Sequence, residues 1–370
     1  MDDNTRDGQP SKERAPDDIA PETPAGNAGP SASEGPSASE SPTASEGNVT
    51  AGGPAVSGGA FSEDVAATIG DETKLPPNRP VEPLVPAGEA AARAWEAIDA
   101  DDLQTADKWL AEIQPSFDEA GAWRLRLDGR RLEMHRAWHR AALSFQQGFT
   151  RAFIAGTGNE GAHAGGLLRL GGCILLDLGR LYRRMDRSSD AEQTHLAALR
   201  LIRLHGSLAE LWEVQHELAL DAEMQEKYEL AVQRFAAAVE TGATVPHEAD
   251  RLCGESSMAR ARVLGAAERW EEAMESAEAG VNFLKAYDSG APGWISALSS
   301  LGGLRLSWGQ ALVASGTETG QARRVLTEAV EILRRARDEL RAFGDGTELE
   351  SAVSGEQLDF AERLLESVPS

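Results

Sequence analysis

The sequence predicts an all-α fold: a solenoid of antiparallel helical hairpins preceded by an unstructured N-terminal tail. Three observations carry the prediction. Between residues 178 and 330 a small residue is followed four positions on by a filler and seven positions on by a second small residue, four times over. These sets are Ala191, His195, Ala198; Ala231, Phe235, Ala238; Ala273, Ala277, Gly280; and Ala322, Leu326, Ala329. No stretch alternates apolar and polar residues with the period of two that a strand requires. The first 85 residues or so are a different material, rich in Pro, Gly, Ser, Ala and Glu. A hairpin repeated in this way hides its apolar side only against its neighbours, so the product is an extended surface rather than a closed pocket.

Taken in order, the chain opens with the tail, residues 1–85. It holds three near-copies of one hexapeptide, Pro30–Gly35, Pro36–Ser41 and Pro42–Gly47. Such a composition buries too little apolar surface to offset its ordering entropy, which predicts disorder. As a flexible coil it would reach about 50 Å. Phe61, Val65, Ala66 and Ile69 form its one amphipathic run, read here as incidental to a spacer. From residue 86 to 370 the text is helical. Ala90 to Ile98 and Leu103 to Ile113 predict a first hairpin, with Asp101 or Asp102 capping the second helix. Two long amphipathic stretches follow, over about 118–154 and 160–186, and they fit the repeat poorly. Ser207/Glu210 and Thr347/Glu350 have capping-box spacing. Thr347 to Val368 predicts a final helix that covers the end of the stack, because a terminal repeat lacks a neighbour on its outer side.

The best copy of the repeat reads Leu178-Gly179-x-x-Tyr182, with Ala191 and Ala198 beyond it. It resembles the tetratricopeptide repeat, W-x-x-L-G-x-x-Y followed by A-x-x-x-F, with Leu175 in place of the Trp and His195 in place of the Phe. Lys227-Tyr228-x-x-Ala231-x-x-x-Phe235, Glu268-Arg269-Trp270-x-x-Ala273 and Trp308-Gly309-x-x-Leu312 are partial copies, a dilution that other helical repeats would also allow. The spacing departs from the family's 34 residues. It is 40 from Ala191 to Ala231, 42 to Ala273 and 49 to Ala322, so the repeats are elongated. Longer versions of this kind are similar to those of bacterial peptide-sensing regulators and cargo adaptors, a likeness at the level of fold.

The resemblance implies that the first helix of each hairpin lines a groove. By register it would present Cys173, Leu176, Arg180, Arg183 and Arg184, then Glu213, His216 and Glu223, then Met258 and Arg262, then Leu306 and Gln310. Arg180, Arg183 and Arg184 would form a basic cluster able to hold a peptide carboxylate by paired hydrogen bonds. The competing reading pairs these arginines with Asp177, Asp186 or Asp190 at helical spacings. The asparagines by which chaperone-binding members hold heat-shock protein tails are missing, so that binding is not implied.

Charge narrows the partners. The 370-residue chain carries a formal net charge of −24, and its isoelectric point is near 4.7. Phosphate backbones and anionic lipid repel such a chain, which disfavours nucleic-acid and membrane-surface binding. The first residues lack the basic-then-apolar order of a signal peptide, and no stretch approaches 18 uninterrupted apolar residues, which predicts a cytoplasmic protein. Its Ala/Arg/Leu-rich text suggests a bacterial one. Cys173 and Cys253 form no motif and read as reduced packing thiols.

Catalytic motifs find no support. Gly156-Thr-Gly158-Asn-Glu-Gly161 spells G-x-G-x-x-G, but a dinucleotide fingerprint needs a strand and a parallel sheet, so an inter-helix loop is expected. His135 and His139 sit four apart on one expected helical face, without the third ligand or adjacent glutamate that a zinc site needs. No cofactor and no enzymatic activity are expected. The function predicted is a non-enzymatic scaffold or adaptor that binds a protein or peptide. The alternative is a regulator whose solenoid changes shape when a ligand or peptide binds.

Overall fold

The computed structural model describes residues 84 to 369 except 85, 87, 117, 160, 317, 318, 345 and 346. The tail prediction and the Phe61–Ile69 run lie outside the described residues. Within them the chain forms thirteen α-helices and no strand. Six hairpins run in order: α1 (Glu89–Asp99) with α2 (Leu103–Glu112), α3 (Glu119–Met134) with α4 (Trp138–Thr157), and α5 (Ala162–Arg184) with α6 (Ser188–His205). Then come α7 (Leu208–Met224) with α8 (Tyr228–Gly242), α9 (Ala249–Ala266) with α10 (Trp270–Tyr287), and α11 (Gly293–Ser315) with α12 (Thr319–Phe343). A single helix, α13 (Glu348–Ser367), packs on α12 and α11. Each helix packs chiefly on the one before and the one after it, which is the pattern of an α-solenoid.

The first five hairpins turn in the same way. Three residues join their helices, and the middle one is left-handed: Asp101, Arg136, Asp186, Glu226 and Glu268, with φ of 58°, 57°, 62°, 57° and 58°. The residue after it donates its N–H to a carbonyl five positions back. Examples are Arg187 to Tyr182, Lys227 to Ala222 and Arg269 to Leu264, each 2.9 Å. This is the Schellman closure, normally built on Gly. Here charged residues accept the cost.

The repeated small and filler residues form the seam inside each hairpin. All twelve members of the four predicted sets are buried. In two of the four sets the filler lies against a glycine of the preceding helix where no side chain fits. A Cβ on Gly179 would stand 2.3 Å from the His195 ring, and one on Gly309 would stand 2.4 Å from Leu326. The α3/α4 hairpin obeys the same rule, with Phe145 over Gly129.

That hairpin corrects two expectations. The stretch 118–154 is two helices, broken at His135–Ala137, where Ala137 N–H reaches back to Leu132. His135 and His139 therefore flank a turn instead of sharing a helical face. Two other expectations resolve differently. The Ser207/Glu210 capping box forms as read. Thr347 instead donates its hydroxyl to Leu340 and Gly344 carbonyls, at 2.8 and 3.0 Å. It is buried after the end of α12, and although it stands at the N-cap of α13 its side chain makes no cap bond there. The loop expected over Gly156–Gly161 is shorter than read: Gly156 and Thr157 belong to α4, where Gly156 is buried against Leu168, and the connection to α5 is bounded by Gly158 and Gly161.

Candidate partner-binding face

The first helices of successive hairpins, α3, α5, α7 and α9, touch one another along one side through long-range side-chain bonds. Arg126 of α3 donates to Asp177 of α5 at 2.6 Å, both side chains buried. Arg184 of α5 pairs with Glu133 of α3. Arg169 of α5 holds Glu210 of α7 with bonds of 2.8 and 3.0 Å. Arg180 reaches two carboxylates of α7, Glu213 and Glu217, each at 2.6 Å. Arg183 bonds Asp221 at 3.1 Å, the Glu217 carboxylate, and the Glu217 carbonyl. Arg262 of α9 forms a two-bond fork with Glu223 of α7, 2.8 and 2.6 Å.

The centre of this ladder is Glu217, whose carboxylate lies between Arg180 and Arg183. Burial pushes its pKa up, but the two guanidinium groups outweigh that and hold it at about 2. Burial likewise disfavours the Arg180 charge, and Glu213 and Glu217 more than restore it, raising its pKa above the ordinary value. Asp221, fully buried, accepts from Arg183 and lies 2.5 Å from His195 Nδ1 on α6. The chain of contacts thus alternates carboxylate and guanidinium from Glu213 through Arg180, Glu217 and Arg183 to Asp221, which meets His195 at the hairpin seam.

His216 is a different object. Its ring lies 5.1 Å from both Trp212 and Phe235, tilted against the first and edge-on to the second. Ser256 Oγ accepts from Trp212 Nε1 at 2.9 Å and lies 3.0 Å from His216 Nδ1. Accepting from the indole N–H leaves the Ser256 hydroxyl proton free to be donated to His216 Nδ1, the arrangement that a neutral imidazole takes. Burial, together with Arg180, Arg183 and Arg262, agrees, lowering its pKa to about 4 against the pull of Glu217.

Of the residues read from sequence, Arg180, Arg183, Arg184, Glu213, His216, Glu223 and Arg262 are brought onto this side. Met258 is half-buried and would clash with any Cβ on Gly280 of α10. Three residues expected in the groove are in the core instead: Cys173, Leu176 and Leu306. They lie on the helix faces that pack inward, and Cys173 places its thiol 3.4 Å from Glu210. Gln310 is exposed. The arginines do not pair at helical spacings. Asp177 is held by Arg126, Asp190 by Arg187, and Asp186 is the left-handed turn residue. Sequence reasoning missed Glu217, Asp221 and Glu133, although Glu217 stands 37 residues after Arg180, close to one repeat on.

Among the described residues no cluster of His, Cys, Asp or Glu is arranged to hold a metal, and no helix is long and apolar enough to cross a membrane.

The hairpins, their small-residue seams and their stacked first helices define an elongated tetratricopeptide-like α-solenoid. Among solved structures the chain is similar to BtubC (BKLC) from P. vanneervenii, at 14% identity over 70% of this chain and 93% of that one, with a TM-score of 0.47. It is also similar to a Rap protein complexed with competence and sporulation factor (12%; 76% and 87%; TM-score 0.44). A third is a Podospora anserina putative kinesin light chain with nearly identical TPR-like repeats (18%; 57% and 94%; TM-score 0.40). No protein-family model and no curated protein matches the sequence.

Proposed function

We propose that the chain is a non-enzymatic scaffold or adaptor that binds a protein or peptide along the side shared by α5, α7 and α9. The supporting observation is that these helices line up one continuous surface whose inner charges are matched within the chain, while Arg184 and Arg262 extend outward, 61% and 57% exposed. Arg180 and Arg183 serve as girders of that surface, and the outer arginines and the exposed Met224, which follows Glu223 in the chain, are its contact points. The free, buried thiols of Cys173 and Cys253 favour a reducing compartment, in keeping with a bacterial cytoplasm. A second reading, a regulator, draws on the Arg180 bridge: a ligand carboxylate competing for that guanidinium would uncouple α5 from α7 and alter the pitch.

The test is site-specific photo-crosslinking in extract of the native source. A crosslinker at Met224 or Arg262 should capture one partner that a crosslinker at exposed Leu204 on α6 does not, and Arg184→Glu with Arg262→Glu should reduce capture. Equal capture from Leu204, or capture indifferent to the double reversal, would move the site elsewhere.

A further inference from the structure

A solenoid helix with no neighbouring repeat packed on its outer side should turn a polar side outward. α13 does not. It occupies the place of a first helix, yet no second helix packs beside it among the described residues. Its inner side is seated: Leu358 and Ala361 are buried, and Ser354 Oγ lies 2.7 Å from Ser299 Oγ of α11. Its outer side carries Leu349, Val353 and Phe360, 75%, 46% and 39% exposed. Spacings of four and seven put all three on one stripe.

Beside the stripe runs a groove of about 620 Å³ between α13 and the end of α12. Its lining includes the small Ala352 and Gly355, the exposed Glu356 and Asp359 of α13, and Arg341 of α12. Neither Glu356 nor Asp359 has an ion pair within the described residues. Over its length α13 carries six carboxylates against one arginine, Arg363. Small lining residues allow a helix to approach closely, and the apolar stripe supplies the area it would bury.

We propose that this outer side of α13 docks an amphipathic helix of a partner protein whose apolar stripe is flanked by Lys or Arg. Charge decides among the occupants. A second copy would bring the same acidic helix against itself. The amphipathic run Phe61–Ile69 of this chain carries Glu63 and Asp64 and no cation. A basic helix gains from both the stripe and the carboxylates.

The experiment uses the full chain and two labelled helical peptides as long as α13. Both carry a leucine stripe; one is flanked by Lys and the other by Glu. Fluorescence anisotropy should show binding of the Lys-flanked peptide alone. Leu349→Ser with Phe360→Ser should weaken that binding at least about tenfold, from the apolar area lost. Glu356→Lys with Asp359→Lys, also at exposed positions, should weaken it comparably, with both variants melting as the parent does. Arg184→Glu with Arg262→Glu should leave it unchanged, which separates this surface from the α5–α9 side. Equal binding of the Glu-flanked peptide, or indifference to either α13 variant, overturns the proposal. So does a concentration-dependent dimer dispersed by the serine variant, which would make a second copy the occupant. Tighter peptide binding after deletion of residues 61–69 would do the same in favour of the tail.

Discussion

The stretch from α3 to α9 and the stretch from α11 to α13 solve the same problem with opposite materials. In the first, neighbouring first helices are joined by ion pairs that run from the buried Arg126–Asp177 to the exposed Arg262–Glu223. In the second, the corresponding contact is made by two hydroxyls, Ser299 and Ser354, and by Gln357 lying over Gly303. An ion pair between hairpins fixes their register, since a slip of one turn moves the partners about 5.4 Å apart. Hydroxyls and small residues let packing alone set the spacing. The difference teaches that the charges of the α5–α9 side are first of all structural: even its exposed arginines, Arg184 and Arg262, are paired with Glu133 and Glu223, and a partner's carboxylate would compete with those pairs.

The sharpest way to break the comparison is to remove Asp221. It is fully buried between Arg183 and His195, and its loss leaves His195 without a carboxylate and Arg183 with Glu217 as its remaining one. Breaking one member of a buried pair costs about 3–5 kcal/mol. Asp221→Ala should therefore lower stability by that amount in urea unfolding, whereas Ser354→Ala, which breaks hydroxyl bonds in the other stretch, should cost about 1 kcal/mol. Equal losses would mean that the ladder has no special weight. By the same argument, reversing Arg180 and Arg183 together would unfold this stretch, which is why tests of binding belong at Arg184 and Arg262.

Acid should separate the two stretches next. His216 has a folded pKa of about 4 against an ordinary 6.5, so below pH 6.5 the unfolded chain takes up the proton first and stability falls until about pH 4. Glu217, at about 2 against 4.5, continues the loss from pH 4.5 down to 2. The His216 contribution alone is about 2–3 kcal/mol. Hydrogen exchange should show α7 and α9 losing protection between pH 6.5 and 4 while α12 keeps its own. His216→Phe should flatten that part of the profile. Uniform loss along the solenoid would assign the effect to overall charge instead.

The hairpins were legible because a close seam demands small residues at fixed spacing, and Ala191/His195/Ala198 and its copies state that demand locally. The α3/α4 hairpin was not, although Ala141, Phe145 and Gly148 repeat the same pattern. Its turn places Arg136 at the left-handed position, where the sequence shows no Gly or Pro to punctuate the helix. The partner-binding side was legible in its membership and illegible in its pairing. Arg180 and Arg183 find their carboxylates on the next hairpin, 33 to 38 residues away, and local spacing points to Asp177, Asp186 and Asp190 instead.

Glycines test the seam on a smaller scale. A Cβ on Gly179 would stand inside contact distance of the buried His195 ring, whereas one on Gly303 meets only the Gln357 side-chain amide at 3.4 Å. Gly179→Ala should destabilise by about 1–3 kcal/mol, as overpacking does, and Gly303→Ala should be neutral or slightly stabilising through helix propensity. Thermal unfolding of the two variants side by side checks this. A neutral Gly179→Ala would show that the α5/α6 seam can open without cost.

The smallest effect concerns the turns, where the two stretches differ once more. Glu226 and Glu268 hold the left-handed position in the α7/α8 and α9/α10 turns, whereas Gly316 takes it after α11. An L side chain in that conformation is strained by roughly 1–2 kcal/mol, and replacing it by Gly relieves the strain while adding disorder to the unfolded chain. The net for Glu226→Gly or Glu268→Gly should be a gain of about 0.5–1 kcal/mol, and Gly316→Ala should lose a similar amount. Glu268→Gly also leaves the neighbouring Arg269 forks to Glu229 and Glu272 in place, so a change in its denaturation midpoint reports on the backbone alone. A loss of stability at Glu268→Gly would mean that the side chain contributes at the turn, and that the charged residues there are selected for more than the tolerance of their backbone.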